Sequence, residues 1–349
     1  MSPGSPHLAA LSQDAQPLPP GFDLRARTAE LQQSRDDLTA EQAADVIAQT
    51  FGFRDGSTLH AFLDAPEDAL TTQFERAVDA IVAGDLDGLS RVLRAHPTLI
   101  SARSARMHGA TLLHYVAANG VENYRQITPP NIEAITTRLL DAGADVNATC
   151  DVYGGATALG LTMTSAHPRA AGVQERLAQR LLERGATIDD HAVRHCLANG
   201  CPEAAAFLAD VLLRRGRSLA LDEAAGLGRI DLVAPLLPAV EPGGEAMGEA
   251  MQLATWYDRG DMLRFLLANG VPVDVRAPRG GATPLHVAAY LGNVALVELF
   301  LAHGANPIAV DATWNSPPLV WARHAHEVEQ RGPLKVYQAV MRLLSRSAS

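Results

Sequence analysis

Several features that mark other protein classes are scarce here. Three cysteines, Cys150, Cys196 and Cys201, in 349 residues cannot build a disulfide framework, so a reducing, cytoplasmic compartment is the expectation. Lysine occurs once, at Lys335, and every other basic residue is arginine, the composition of a GC-rich genome. A formal charge of −10 lacks the concentrated positive surface that nucleic-acid binding requires, and it disfavours an acidic membrane surface too. No apolar run approaches the roughly 18 residues of a membrane span. The first basic residue is Arg25, so the charged start of a secretory signal is missing. Aromatic residues make up 5%. Alanine and leucine supply most of the apolar mass, which favours closely packed helices over a β-sandwich.

A large apolar fraction is present, 47%, enough to bury a sizeable core. Residues 1–21, with Pro17-Leu18-Pro19-Pro20, read as a solvated, Pro-rich, disordered tail or linker. Residues 22–70 read as a compact helical leader. Thr39 and Gln42 fit a capping box, and Ala43, Val46 and Ile47 recur at helical spacing before Gly52. Ser57 is the expected cap of a second short helix carrying Leu59, Phe62 and Leu63. Phe51, Phe53 and Phe62 should bury together, docking the leader on the chain beyond residue 70.

From about residue 71 to 349 the sequence repeats itself. The clearest unit runs Gly281-Ala282-Thr283-Pro284-Leu285-His286, then Val294 to Leu301, then Gly304-Ala305-Asn306-Pro307. An earlier copy runs Gly109-Ala110-Thr111-Leu112-Leu113-His114 and ends Gly143-Ala144-Asp145-Val146-Asn147. Gly228, Gly260 and Gly292 fall 32 residues apart, and Gly270 and Gly304 fall 34 apart. Threonine or proline preorganises a first helical turn, and glycine closes a helix in the left-handed region. Such a two-helix unit cannot cover its own apolar face, so neighbours must stack.

These motifs resemble the ankyrin repeat, whose period is about 33 residues. The resemblance implies an all-α ankyrin-repeat solenoid of about eight irregular helix-turn-helix units, preceded by a short N-terminal helical extension. It implies non-covalent binding of a protein or peptide along a concave groove and its turn loops. Beyond the repeat, the chain is similar to bacterial ankyrin proteins with a leader like Ala43-Ala44…Gly52-Phe53…Leu59…Leu63. They also have segments like Asp151-Val152-Tyr153-Gly154-Gly155, Ser165-Ala166-His167-Pro168 and Pro318-Leu319-Val320-Trp321-Ala322. That group lends no activity to this chain.

Two insertions interrupt neighbouring units, Val121 to Asn131 and Ser165 to Gly172, with a third near His324 to Pro333. Long loops on a rigid scaffold often carry function, although surface loops also drift. The enzyme or small-ligand alternative rests on the first two insertions folding over the groove. Tyr124, Arg125, Tyr153 and His167 would then line a pocket, with His167 as acid/base, Asp151 and Arg169 lending charge, and Tyr153 and Arg125 beside it.

Elsewhere, catalytic and metal chemistry finds little support. In the repeat frame His114 and His286 bridge backbone groups of adjacent loops. His191 and His195 share a helix face but lack the further ligands zinc requires, so a core histidine and a capping residue are the better reading. His324-Ala325-His326-Glu327 lacks the spacing of a zinc protease. Gly226-Leu227-Gly228 lacks the third glycine and the strand of a dinucleotide loop. No metal or cofactor is implied. The groove positions implied by the resemblance are small in the early units and larger in the late ones. Arg259, Tyr290 and Leu291 are expected side by side, with Trp256, Trp314 and Trp321 in the same units. Aromatics and arginine dominate interface hot spots, so Arg259, Tyr290, Leu291, Trp256 and Trp314 are the expected contact surface, although Trp256 and Trp321 could simply fill core positions.

Overall fold

The computed structural model describes residues 14–347. The chain forms two compact units, one ending at Asp190 and the other beginning at His191. Among the described residues there is no strand, only one isolated antiparallel bridge between Thr149 and Thr157. The all-α fold read from the sequence is the fold observed. No described helix is long and apolar enough to cross a membrane.

The first unit opens with the leader: α1 (Leu24–Ser34), α2 (Ala40–Thr50) and α3 (Gly56–Leu63). Thr39 Oγ1 accepts the Gln42 N–H and Gln42 Oε1 accepts the Thr39 N–H. Two donors that helix geometry orphans are thereby satisfied, as the sequence predicts. The start of α3 differs from expectation. Asp55, not Ser57, is the cap, and its carboxylate accepts both the Thr58 N–H and the Ser57 hydroxyl. A carboxylate also meets the positive end of the helix dipole, which a serine cannot do. Leu24, Ala48, Phe51, Phe53 and Leu59 form the core of the leader, and Phe62 lies 4.9 Å from Phe53 between ring centroids.

Most of the expected tail, residues 1–13, lies outside the described residues. Residues 14–21 depart from the solvated reading. Ala15 is only 4% exposed and the Gln16 N–H donates to the Thr50 carbonyl at 2.9 Å. The Ala15 methyl occupies the space that a side chain on Gly52 would need.

The first unit continues with α4 (Leu70–Ala83), α5 (Leu86–Ala95), α6 (Ile132–Asp141), α7 (Ala158–Thr164), α8 (Ala166–Ala170) and α9 (Gln174–Glu183). The Thr-Leu-Leu-His copy forms a buried 3₁₀ run, Leu112–Ala117, packed against α4, α6 and α7. It ends at Ala118, whose φ of 46° turns the chain into the first insertion.

The second unit comprises α10 (Ala192–Ala198), α11 (Pro202–Arg214), α12 (Leu221–Leu227), α13 (Ile230–Val233), α14 (Glu245–Trp256), α15 (Gly260–Ala268), α16 (Pro284–Tyr290), α17 (Val294–Ala302), α18 (Pro318–Glu327) and α19 (Leu334–Ser347). Helices α12, α14, α16 and α18 pack in succession. Buried alanines at 224, 225, 250, 254, 288, 289, 322 and 325 permit that closeness. Helix α13 is a single turn, because Pro235 and Pro238 cannot continue a helix. Between α16 and α17, Gly292 adopts a φ of +67°, and a Cβ there would meet the Tyr337 ring at 3.0 Å.

Candidate binding surface

The second unit carries a run of aromatic rings. Trp256, at the end of α14, lies 5.6 Å from Tyr290 between centroids; Tyr290 lies 6.0 Å from Trp321, and Trp321 5.3 Å from Trp314. All three steps are edge-to-face, the arrangement that the ring quadrupole favours. Trp256 is 37% exposed and Trp314 67% exposed, so the ends of the run face solvent. Ile308, Val310 and Val320 add exposed aliphatic surface in the same repeats.

The inner rings are held from behind. Trp321 Nε1 donates to Asp311 Oδ2 at 3.1 Å. The Asp311 carboxylate also accepts the backbone N–H groups of Thr313, Trp314 and Ser316 at 2.8, 2.7 and 3.1 Å. Burial pushes this carboxyl up, but those N–H groups outweigh it and hold the acid below its ordinary range. The turn that presents Trp314 is therefore fixed by one anion. The Tyr290 hydroxyl donates to Glu329 Oε2 at 2.5 Å and accepts from Arg331 Nη1 at 3.1 Å. The Arg331 guanidinium stands 4.7 Å above the Tyr290 ring. Beside it, Leu291, Arg331, Gly332, Pro333, Val336 and Tyr337 line an open cleft of about 440 Å³.

Trp256, Tyr290, Leu291 and Trp314 thus stand on one connected surface. Arg259 does not join them. Its Nε donates to the Gly226 carbonyl at 2.9 Å and its guanidinium lies 5.9 Å from the Tyr257 ring. The side chain turns back to satisfy a carbonyl of the preceding repeat instead of lying beside Tyr290.

The residues of the alternative pocket are not drawn into one site. Arg125 is buried and pairs with Glu75 at 2.6 Å and Asp79 at 2.8 Å. Tyr124 accepts from Arg106 Nη2 at 3.2 Å. The first insertion folds back onto α4, where the Asn131 amide also donates to the Gly84 carbonyl at 2.7 Å. Tyr153 is 50% exposed in a turn with φ of 50°, and His167 and Arg169 are exposed on α8. A second cleft, about 310 Å³, is lined by Asp14, Ala15, Gln16, Pro17, Asn123 and Tyr124; like the first, it includes neither Tyr153, His167 nor Arg169. The two insertions do begin as neighbours, with the Asn119 amide donating to Leu161 O and the Ser165 hydroxyl to Ala118 O. They then diverge because the first is drawn inward by its ion pairs.

The repeat histidines sit as the resemblance implies. His114 Nδ1 accepts the Thr111 N–H at 3.1 Å and its Nε2 lies 3.2 Å from Ala156 O. His286 repeats this with the Thr283 N–H and Ser316 O, at 3.1 and 3.0 Å. Burial pushes His114 down to about 4 and His286 below its ordinary range. Burial raises the Cys196 thiol to about 12, far from a nucleophile's range. Sequence reasoning missed two matching arginines. Arg103 Nη1 donates to Gly109 O and Thr149 O, and Arg276 Nη1 to Gly281 O and Val310 O, all at 2.7–2.8 Å. Their signal was a shared place ahead of the Gly-Ala-Thr start.

Short helices joined by tight turns, packed in succession with a fixed histidine bridge between turns, define a helical-repeat scaffold. Residues 221–311 match the family model described as ankyrin repeats in three copies. A curated relative is the zinc finger CCCH domain-containing protein 50 of Oryza sativa subsp. japonica. It is 32% identical over 194 residues, which is 54% of this chain and 26% of that protein. The chain thus spans about a quarter of that relative's length. A solved structure, the human ASB11 ankyrin repeat domain, aligns with 76% of this chain and 96% of its own length at 23% identity and a TM-score of 0.35.

Proposed function

We propose that this chain is a bacterial, cytoplasmic binding scaffold that holds a protein or peptide partner non-covalently, through the groove side and turn loops of its second unit. The ankyrin repeats over residues 221–311 support protein binding as the general task. The observation that carries the specific reading is the edge-to-face run Trp256–Tyr290–Trp321–Trp314, braced from within yet exposed at both ends. Rings held rigid before contact lose little side-chain entropy on binding, so their burial converts efficiently into affinity. Arginine-rich composition and three buried thiols fit the proposed compartment.

The test places a photo-crosslinking residue at Ile308 or Val320 and captures partners from the native host. Support is one crosslinked protein that is lost on Trp314→Ala and on Trp256→Ala while both variants melt like the parent. Partner capture that survives both substitutions, or crosslinking only from control positions in the first unit, overturns the reading.

A further inference from the structure

We infer that the partner segment is an extended, acidic peptide with aliphatic anchors, an inference that rests on the binding reading above and names the chemistry of its ligand. Two observations carry it: the spacing of the rings and the sign of the charge around them.

Successive rings of the run stand 5.6, 6.0 and 5.3 Å apart. In an extended chain, side chains on one face recur every second residue, about 6.6 Å. Alternate side chains of an extended peptide therefore fall on successive rings, whereas a helix would lift its contacts off after one turn. The run is continuous with the Leu291–Val336 cleft through Arg331, which stands on the Tyr290 ring and lines that cleft. An aliphatic side chain fits the cleft, whose walls are Leu291, Pro333, Val336 and the Tyr337 ring.

The charges exposed along this path are cationic, although the chain carries −10. Arg331 sits at the cleft with its side chain 43% exposed, so part of its five-donor fork faces solvent. At the other end, the loop bearing Arg276 and Arg279 abuts the Trp314 turn. There the Ala312 N–H donates to Gly280 O at 2.8 Å and Arg276 donates to Val310 O. Both arginines are exposed. The acids nearby are already engaged. Asp311 is buried beneath donors from its own turn and Trp321, and Glu329 is held by Tyr290, His324 and Arg331. Arg331 at one end and Arg276 with Arg279 at the other would pair with carboxylates flanking the anchors.

All three tryptophans of the chain, Trp256, Trp314 and Trp321, belong to this run, so intrinsic tryptophan fluorescence reports on it alone. The experiment titrates the full chain with three synthetic dodecapeptides that share leucine at alternate positions and differ in the spacers: glutamate, serine or lysine. The expected result is a saturable tryptophan shift with the glutamate peptide. Its affinity should be roughly tenfold weaker for the serine peptide and weaker again for the lysine peptide. That preference should shrink at high salt and in the variants Arg331→Gln and Arg276→Gln/Arg279→Gln. Equal or tighter binding of the lysine or serine peptide, lost on Trp314→Ala, overturns the acidic inference and leaves the binding surface standing. If none of the peptides shifts the fluorescence of a folded chain, the acidic inference fails. The binding reading fails with it only if the crosslinking test also shows capture independent of Trp314.

Discussion

Arg106 Nε and Glu122 Oε1 lie 2.5 Å apart with side chains 3% and 0% exposed. Around them, Arg106 also donates to the Phe51 carbonyl, its guanidinium lies 4.9 Å from the Phe53 ring, and the Met107 N–H donates to Gly52 O. His108 Nε2 lies 3.5 Å from Glu122 Oε2. The pair thus ties the leader to the repeats and the first insertion to both. Burial pushes Glu122 up, but the His108 imidazole and the charges of Arg106 and Arg125 outweigh it and hold the carboxyl at about 2. A carboxyl lowered on folding stabilises the native state above its ordinary 4.5 and loses that contribution as pH falls toward about 2. Arg106→Ala should cost about 3–5 kcal/mol, because it strands a buried anion. Glu122→Gln should flatten the dependence of stability on pH below 4.5, measured by urea unfolding across that range.

His114 acts in a separate window. It is pushed from 6.5 down to about 4 by burial, so the unfolded chain binds its proton first. Its contribution is complete above 6.5 and declines as pH drops toward about 4. Urea unfolding of the parent at about pH 7 and about pH 5 should show a loss of stability that is smaller in His114→Ala. At neutral pH that variant should be destabilised by about 2–3 kcal/mol, since the Thr111 N–H and Ala156 carbonyl lose their buried partner. No change in stability at neutral pH would contradict the bridging role.

How much of this was readable from the chain depended on range. Thr39 and Gln42, three residues apart, and the Thr-x-x-His bridges at 111–114 and 283–286 follow local geometry, so spacing alone revealed them. Trp256 and Tyr290 are 34 residues apart, one repeat period, which is why the repeat frame put them on neighbouring helices. Arg259 was in the right frame, but its long side chain chose the Gly226 carbonyl, a decision made by rotamer and not by period. The Arg106–Glu122 pair obeys no period, and the inward fold of the first insertion depends on it. Reading Tyr124 and Arg125 as pocket residues missed that Glu75 and Asp79, one helix earlier, already neutralise the arginine.

A close approach gives a further test. A Cβ placed on Gly248 in α14 would stand 2.1 Å from the Arg276 carbonyl oxygen, so the next repeat's turn would have to move. Gly248→Ala should destabilise the second unit by about 1–3 kcal/mol despite alanine's better helix propensity. Because Arg276 also holds Val310 O, hydrogen exchange at residues 308–316 should quicken in the same variant. A stabilised or unchanged protein would mean that the turn relaxes freely.

Asp311 and Trp314 separate scaffold from surface. Asp311 is 2% exposed and accepts three backbone N–H groups and the Trp321 indole; the Trp314 side chain is 67% exposed and has no comparable duty. Asp311→Ala leaves several donors without an acceptor and should cost about 2–3 kcal/mol, with loss of the Trp314–Trp321 contact visible in near-ultraviolet circular dichroism. Trp314→Ala should change stability by no more than about 0.5 kcal/mol. If Trp314→Ala destabilised the chain as much as Asp311→Ala, the indole would be a structural plug and its exposure would carry no meaning for a partner. If it instead left the melt unchanged and abolished crosslinking from Ile308, the ring's position would be accounted for by binding, because the fold has no use for it.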